Sequence, residues 1–173
     1  MRKFAAACAA ILAICPALAQ AAQPCLTPAE ASSLTAFALP SAITGTTKRC
    51  APTLGNGSFL RSGGSELAGR YSARRSQNWP AAKAAFLKMG KGNESSAMLA
   101  NLPDPSLQQM LDALIEGMVA QQIPLEHCGE IDRVVGLLAP LPPQSTAELI
   151  SIVFGLAGKT GQGRTNLFSV CKS

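Results

Sequence analysis

The chain has 173 residues, of which 47% are hydrophobic, 14% charged and only 5% aromatic, with a formal net charge of +5. So much apolar content beside so little charge excludes a disordered segment, and the scarcity of aromatic residues beside abundant Ala and Leu favours helices over strands. The charge, which falls to +3 without Arg2 and Lys3, is too small to require a nucleic-acid partner.

At the N-terminus, Met1-Arg2-Lys3, the apolar run from Phe4 to Ile14 and the Ala17-Leu18-Ala19 site predict a secretory signal peptide over residues 1–19, cleaved after Ala19. The run is too short for a membrane anchor and is followed by Pro16. Leu12-Ala13-Ile14-Cys15 has the outline of a bacterial lipidation site, but Ile14 stands where a small residue is required. The expected product is an exported protein, periplasmic or secreted and of bacterial type. A short segment, 20–24, leads into one helical domain over 25–173.

Export places Cys25, Cys50, Cys128 and Cys171 where thiols oxidise, and an even count predicts two disulfides. Four cysteines permit three pairings. The spacing favours Cys25 with Cys50 and Cys128 with Cys171, because each then closes a local unit.

Thr27-Pro28-Ala29-Glu30 reads as a capping box that opens a helix towards Ala38. Pro40 is expected to end or kink it, with a second short helix from Ser41 towards Cys50. The glycines and Pro52 between Ala51 and Gly64 predict turns. Ser65 is expected to cap a helix carrying Leu67 and Tyr71 on its apolar face, and Pro80 to start another carrying Trp79, Phe86 and Leu87. Met89 to Asn101 has the composition of a flexible connection.

Asp104-Pro105 opens the clearest helix, in which Leu107, Met110, Leu111, Leu114, Ile115, Met118 and Val119 recur at helical spacing. It should run to about Gln122, bury that stripe, methionines included, and leave Asp112 and Glu116 on a solvated face. A shorter helix is expected from Glu130 to Leu138. Ser145-Thr146-Ala147-Glu148 reads as a second capping box, before a helix apolar on nearly every side from Leu149 to Leu156. Such a helix should be central and pack against Leu111, Leu114, Ile115 and Met118. No segment after the signal peptide is long enough to span a bilayer.

The motifs that suggest chemistry do not hold together. Gly158-Lys159-Thr160 resembles the end of a phosphate-binding loop, but Val153 occupies the place of the first glycine. His127 is the only histidine, and no cysteine pair is spaced with it as zinc ligands are. Glu126, Glu130 and Asp132 surround His127 and could serve a hydrolase. Arg70, Arg74, Arg75, Lys83, Lys88 and Lys91 form a possible anion-binding surface beside Tyr71 and Trp79, for an anionic envelope component or an acidic protein. Residues 25–91 hold nine bases and two acids, whereas 92–173 hold four bases and eight acids.

The expectation is therefore an all-α single domain of six or seven short helices stapled by two disulfides, without metal or cofactor. Its expected role is non-catalytic, as a binding or envelope-associated module. The alternatives are an envelope hydrolase using carboxylates near His127, and a carrier holding an apolar ligand in a closed cavity between helices.

Overall fold

The structure, a computed structural model, describes residues 25–91, 94–160 and 170–171. The expected signal peptide and segment 20–24 lie outside them. Eight helices are present among the described residues, where six or seven were expected: α1 (Pro28–Cys50), α2 (Phe59–Ser62), α3 (Gly64–Ser72), α4 (Arg75–Met89), α5 (Glu94–Ala100), α6 (Asp104–Gln122), α7 (Cys128–Leu138) and α8 (Pro143–Thr160). The additional ones are α2, a single turn in the segment read as turns, and α5, inside the stretch read as a flexible connection.

The first helix starts as its sequence requires. Thr27 N–H donates to Glu30 Oε2 at 2.7 Å, and Glu30 N–H donates back to Thr27 Oγ1 at 3.2 Å. The break expected at Pro40 does not occur, and α1 continues for 23 residues with Pro40 buried inside it. A mid-helix proline forfeits one backbone hydrogen bond and crowds the preceding turn. Here α1 is the axis on which α3, α4, α6 and α8 all pack, and that burial outweighs the local cost. Thr44 Oγ1 also donates to the Pro40 carbonyl at 2.9 Å.

Three other helix starts move. Gly63 precedes α3 in place of Ser65, and α4 begins at Arg75 with Pro80 in its interior. The start of α8 at Pro143 puts Ser145 and Thr146 inside the helix instead of at its cap. The hydroxyl of Thr146 is buried and lies 2.9 Å from Tyr71 Oη, so it joins α8 to α3.

The disulfides are Cys25–Cys171 and Cys50–Cys128, not the two local closures that spacing favoured. Cys25 lies just before α1 and Cys50 ends it, so each bond ties one end of the axial helix to the C-terminal half. A parallel bridge between Leu26 and Val170 accompanies the first. The loops closed span 146 and 78 positions, worth about 5 and about 4.5 kcal/mol in the chain-entropy account of disulfide stabilisation.

The contact between α1 and α6 is close because Gly45 has no side chain. A Cβ built there would stand 2.7 Å from the Glu116 carbonyl oxygen. Asp112 and Glu116, expected on a solvated face, instead reach across this contact. Asp112 accepts from Ser41 Oγ and from both terminal nitrogens of Arg75, while Glu116 pairs with Lys48. Asp104 accepts from Lys83 at 2.6 Å, so every acid of α6 meets a base from the N-terminal half. The uneven charge of the two halves thus fixes how α6 lies on α1 and α4.

The extensive packing of α6 on α8 that was expected is not seen among the described residues, where each helix instead packs along α1. Of the seven apolar positions of α6, only Leu107 and Leu111 are buried. Leu114 is exposed, and so is Met110.

Candidate functional site

The six bases do not form one open cationic face. Arg75 lies beneath the surface, its guanidinium 3.9 Å from the centre of the Phe37 ring and held by Asp112. Lys83 is bound to Asp104, and Lys88 donates to Glu30 Oε2 at 2.8 Å. Lys83 pulls the Asp104 carboxyl below its ordinary pKa, and Lys88, with the Thr27 amide, does the same for Glu30. Arg70, Arg74 and Lys91 remain exposed.

The carboxylates around His127 are divided as well. His127 Nδ1 is 3.5 Å from Glu130 on an open surface. Asp132 accepts from the backbone N–H groups of Leu60 and Phe59 at 2.7 and 3.2 Å, so it anchors the start of α2 to α7. Among the described residues, no group of three or more His, Cys, Asp or Glu side chains is arranged to hold a metal ion. Gly158-Lys159-Thr160 falls at the C-terminal end of α8, and the residues that follow lie outside the described ones.

One concave feature among the described residues is walled almost wholly by apolar side chains. Between α1, α4 and α6, with Ile150 of α8 at its edge, runs a groove of about 380 Å³, open along one side. Leu34 and Leu39 come from α1, Phe86 and Met89 from α4, and Ile115 and Met118 from α6; Thr35 is the only lining residue with a hydroxyl. Beyond Ile150 lies a second hollow of about 160 Å³, walled by Leu67 and Tyr71 of α3 and by Val135 and Leu138 of α7. The groove's volume falls in the range of small-molecule sites and the second hollow's below it, and a groove with so few polar groups offers water little hold.

Next to it α8 presents an apolar stripe to solvent. Leu149, Ile152, Val153 and Leu156, at the spacing of one helix face, are each 43 to 58% exposed. Val134 and Leu137 of α7 are exposed too. Periodicity located these stripes without showing which were covered. The excess was nonetheless visible: α8 is apolar on nearly every side, more surface than one neighbouring helix can bury.

No known protein family matches the chain, and no match is found among curated proteins or among solved structures. Two disulfides suit a non-reducing, exported environment. Among the described residues, no helix is long and apolar enough to cross a membrane.

Proposed function

We propose that this chain is an exported, non-catalytic binding module that takes an apolar ligand in the groove between α1, α4 and α6. The observation carrying this reading is the groove itself: about 380 Å³, walled mainly by carbon from three helices and left unfilled by the described side chains. Packed interiors rarely keep such a space, since its lining forfeits dispersion contacts that a ligand restores. The site is a half-open groove and not the closed cavity that a carrier was expected to need, so a ligand has a direct way in.

Titration with phenylnaphthylamine, whose fluorescence rises in apolar surroundings, tests the reading. The parent should give a saturable signal, and Met118→Glu should weaken it at least about tenfold, the scale of placing an unpaired charge in an apolar site. Leu156→Glu, on the outer stripe of α8, should leave it unchanged. Absence of a saturable signal from the parent would sink the proposal.

A second reading, docking to an envelope surface, rests on that α8 stripe, because exposed apolar patches of this kind mark interaction surfaces. Arg70, Arg74 and Lys91 supply the cations for an anionic surface, Arg75, Lys83 and Lys88 being occupied. Sedimentation with anionic vesicles separates the contributions. Gln at Arg70 and Arg74 should weaken binding at low salt only, whereas Gln at Ile152 and Leu156 should weaken it at all salt concentrations.

A further inference from the structure

We infer that the ligand is a single unbranched acyl chain and that Ile150 sets the length of chain accepted, an inference that rests on the groove being a ligand site. The groove and the second hollow share three lining residues: Leu39, Ala42 and Ile150. Leu39 and Ala42 are three positions apart on α1 and form a common floor. Ile150 is the described residue of α8 that lines both spaces, which makes its side chain the candidate septum between them. The two spaces adjoin at these residues and together offer a path, with Phe86 and Met89 lining the first and Tyr71 and Leu138 the second.

That path selects for shape and for chemistry. A constriction bounded by one aliphatic side chain admits a polymethylene chain more readily than a ring or a branched skeleton. Few polar atoms line the path: the groove has the single hydroxyl of Thr35, while Tyr71 Oη and Thr146 Oγ1 bond to each other and Thr46 Oγ1 donates to the Ala42 carbonyl. The ligand therefore meets at most one hydroxyl, that of Thr35, along its length. Met89 and Met118 give the groove adaptable walls, as suits a flexible chain. A methylene group is similar in size to a water molecule's ~30 Å³ share of the liquid, so the groove holds on the order of ten methylenes and the second hollow on the order of five more.

Ile150 can yield. Its neighbours Leu149, Ile152 and Val153 are 43 to 54% exposed, so the outside of α8 is only partly covered there. Thr146 and Ala147, one turn earlier, are buried and keep the start of α8 in place.

The test is calorimetric titration of the folded, oxidised protein with saturated fatty acids from octanoate to stearate, each below its micelle concentration. In the parent, affinity should rise about fourfold per methylene up to a limiting length and then level off. Ile150→Ala should move that limit several carbons longer while changing the affinity of the short acids less than about twofold. Adding Leu138→Phe, which fills the second hollow from its far wall, should return the limit towards that of the parent. Ile150→Val, the milder change, should shift the limit in the same direction by less, and it serves if the alanine variant does not fold. An unchanged limit in folded Ile150 variants overturns the role of Ile150. Failure of the parent to bind any of the acids, while phenylnaphthylamine still binds, overturns the acyl chain and spares the groove. Failure of both removes the reading on which the inference rests.

Discussion

The two flanks of α1 are built from similar apolar sequences and end in opposite states. Where α4 and α6 meet α1, Phe37, Trp79, Leu107 and Leu111 form a buried cluster, with the Phe37 and Trp79 rings 4.9 Å apart. Arg75 covers that cluster and is locked by Asp112. Where α8 meets α1, Ala147 and Thr146 are buried, but Leu149, Ile152, Val153 and Leu156 face outward. The difference lies less in apolar content than in the cross-helix charge pairs. The α4 and α6 side has Lys48–Glu116, Arg75–Asp112 and Lys83–Asp104, whereas no ion pair of α8 is found among the described residues. Those pairs set the register in which the first flank closes, and the second keeps its outer apolar residues exposed.

The largest expected effect is the contrast between leucines of the two flanks. Leu107→Ala removes a fully buried side chain and should cost about 4 kcal/mol, whereas Leu156→Ala should stay within about 0.5 kcal/mol. Leu114→Ala, on the rim of the groove, should cost about 1 kcal/mol or less, because most of that side chain has no neighbour to lose. Urea midpoints of the three variants decide it. Equal losses at Leu107 and Leu156 would mean that the flanks are packed alike and that α8 hides a partner-free core.

A pair of glycines sharpens the same contrast at the helix contact. Gly45→Ala places a Cβ against the Glu116 backbone, which cannot yield as a side chain can, and should destabilise by about 2 kcal/mol despite alanine's better helix propensity. Gly117→Ala, with nothing within 4 Å of its would-be Cβ, should stabilise by about 0.5 to 1 kcal/mol. Opposite signs measured by thermal denaturation confirm where α6 touches α1. Stabilisation by both would mean that the close approach at Gly45 is wrong.

Much of this organisation was legible before any coordinates, and its failures have physical causes. Thr27 and Glu30 announced the first helix because capping is a local bargain between residues three apart. Pro40 misled because proline's cost is local too, while the four helices that bury α1 are not in its window. The cysteine pairing could not be read, since loop closure grows only slowly more costly with length and does not forbid joining positions 146 apart. Periodicity marked Leu107 and Leu114 alike as apolar face. Only the position of α8, which keeps to its own strip of α1, separates core from groove.

The next expected effect is smaller and concerns the fastening of the closed flank. The Arg75–Asp112 pair is shielded, its side chains 17 and 28% exposed, and it is bidentate. A double-mutant cycle with Arg75→Met and Asp112→Asn should give a coupling of about 1 to 2 kcal/mol, above the usual range for exposed pairs. The single variants should each cost more than the coupling, because each strands the other partner. Coupling near zero would assign the closure of this flank to apolar packing alone.

The smallest expected effect is the response to acid, and its sign follows from the two carboxyls that lysines hold below their ordinary pKa. Glu30, beside Lys88, and Asp104, beside Lys83, bind protons less readily folded than unfolded. Each therefore contributes stability that is complete above the unfolded carboxylate pKa and disappears as the pH falls through the folded one. Lys88→Met and Lys83→Met should be slightly less stable than the parent at neutral pH and equal to it at strongly acid pH. Their thermal denaturation curves, followed from neutral to acid conditions, should converge from below. Both pairs end on α4, one at the first turn of α1 and the other at the first residue of α6. Hydrogen exchange in mild acid should thus rise first in the flank formed by α4 and α6, while the amides of α8 change little. Uniform loosening of all the helices would show that acid acts on the molecule as a whole, and the closed flank would then owe nothing particular to these pairs.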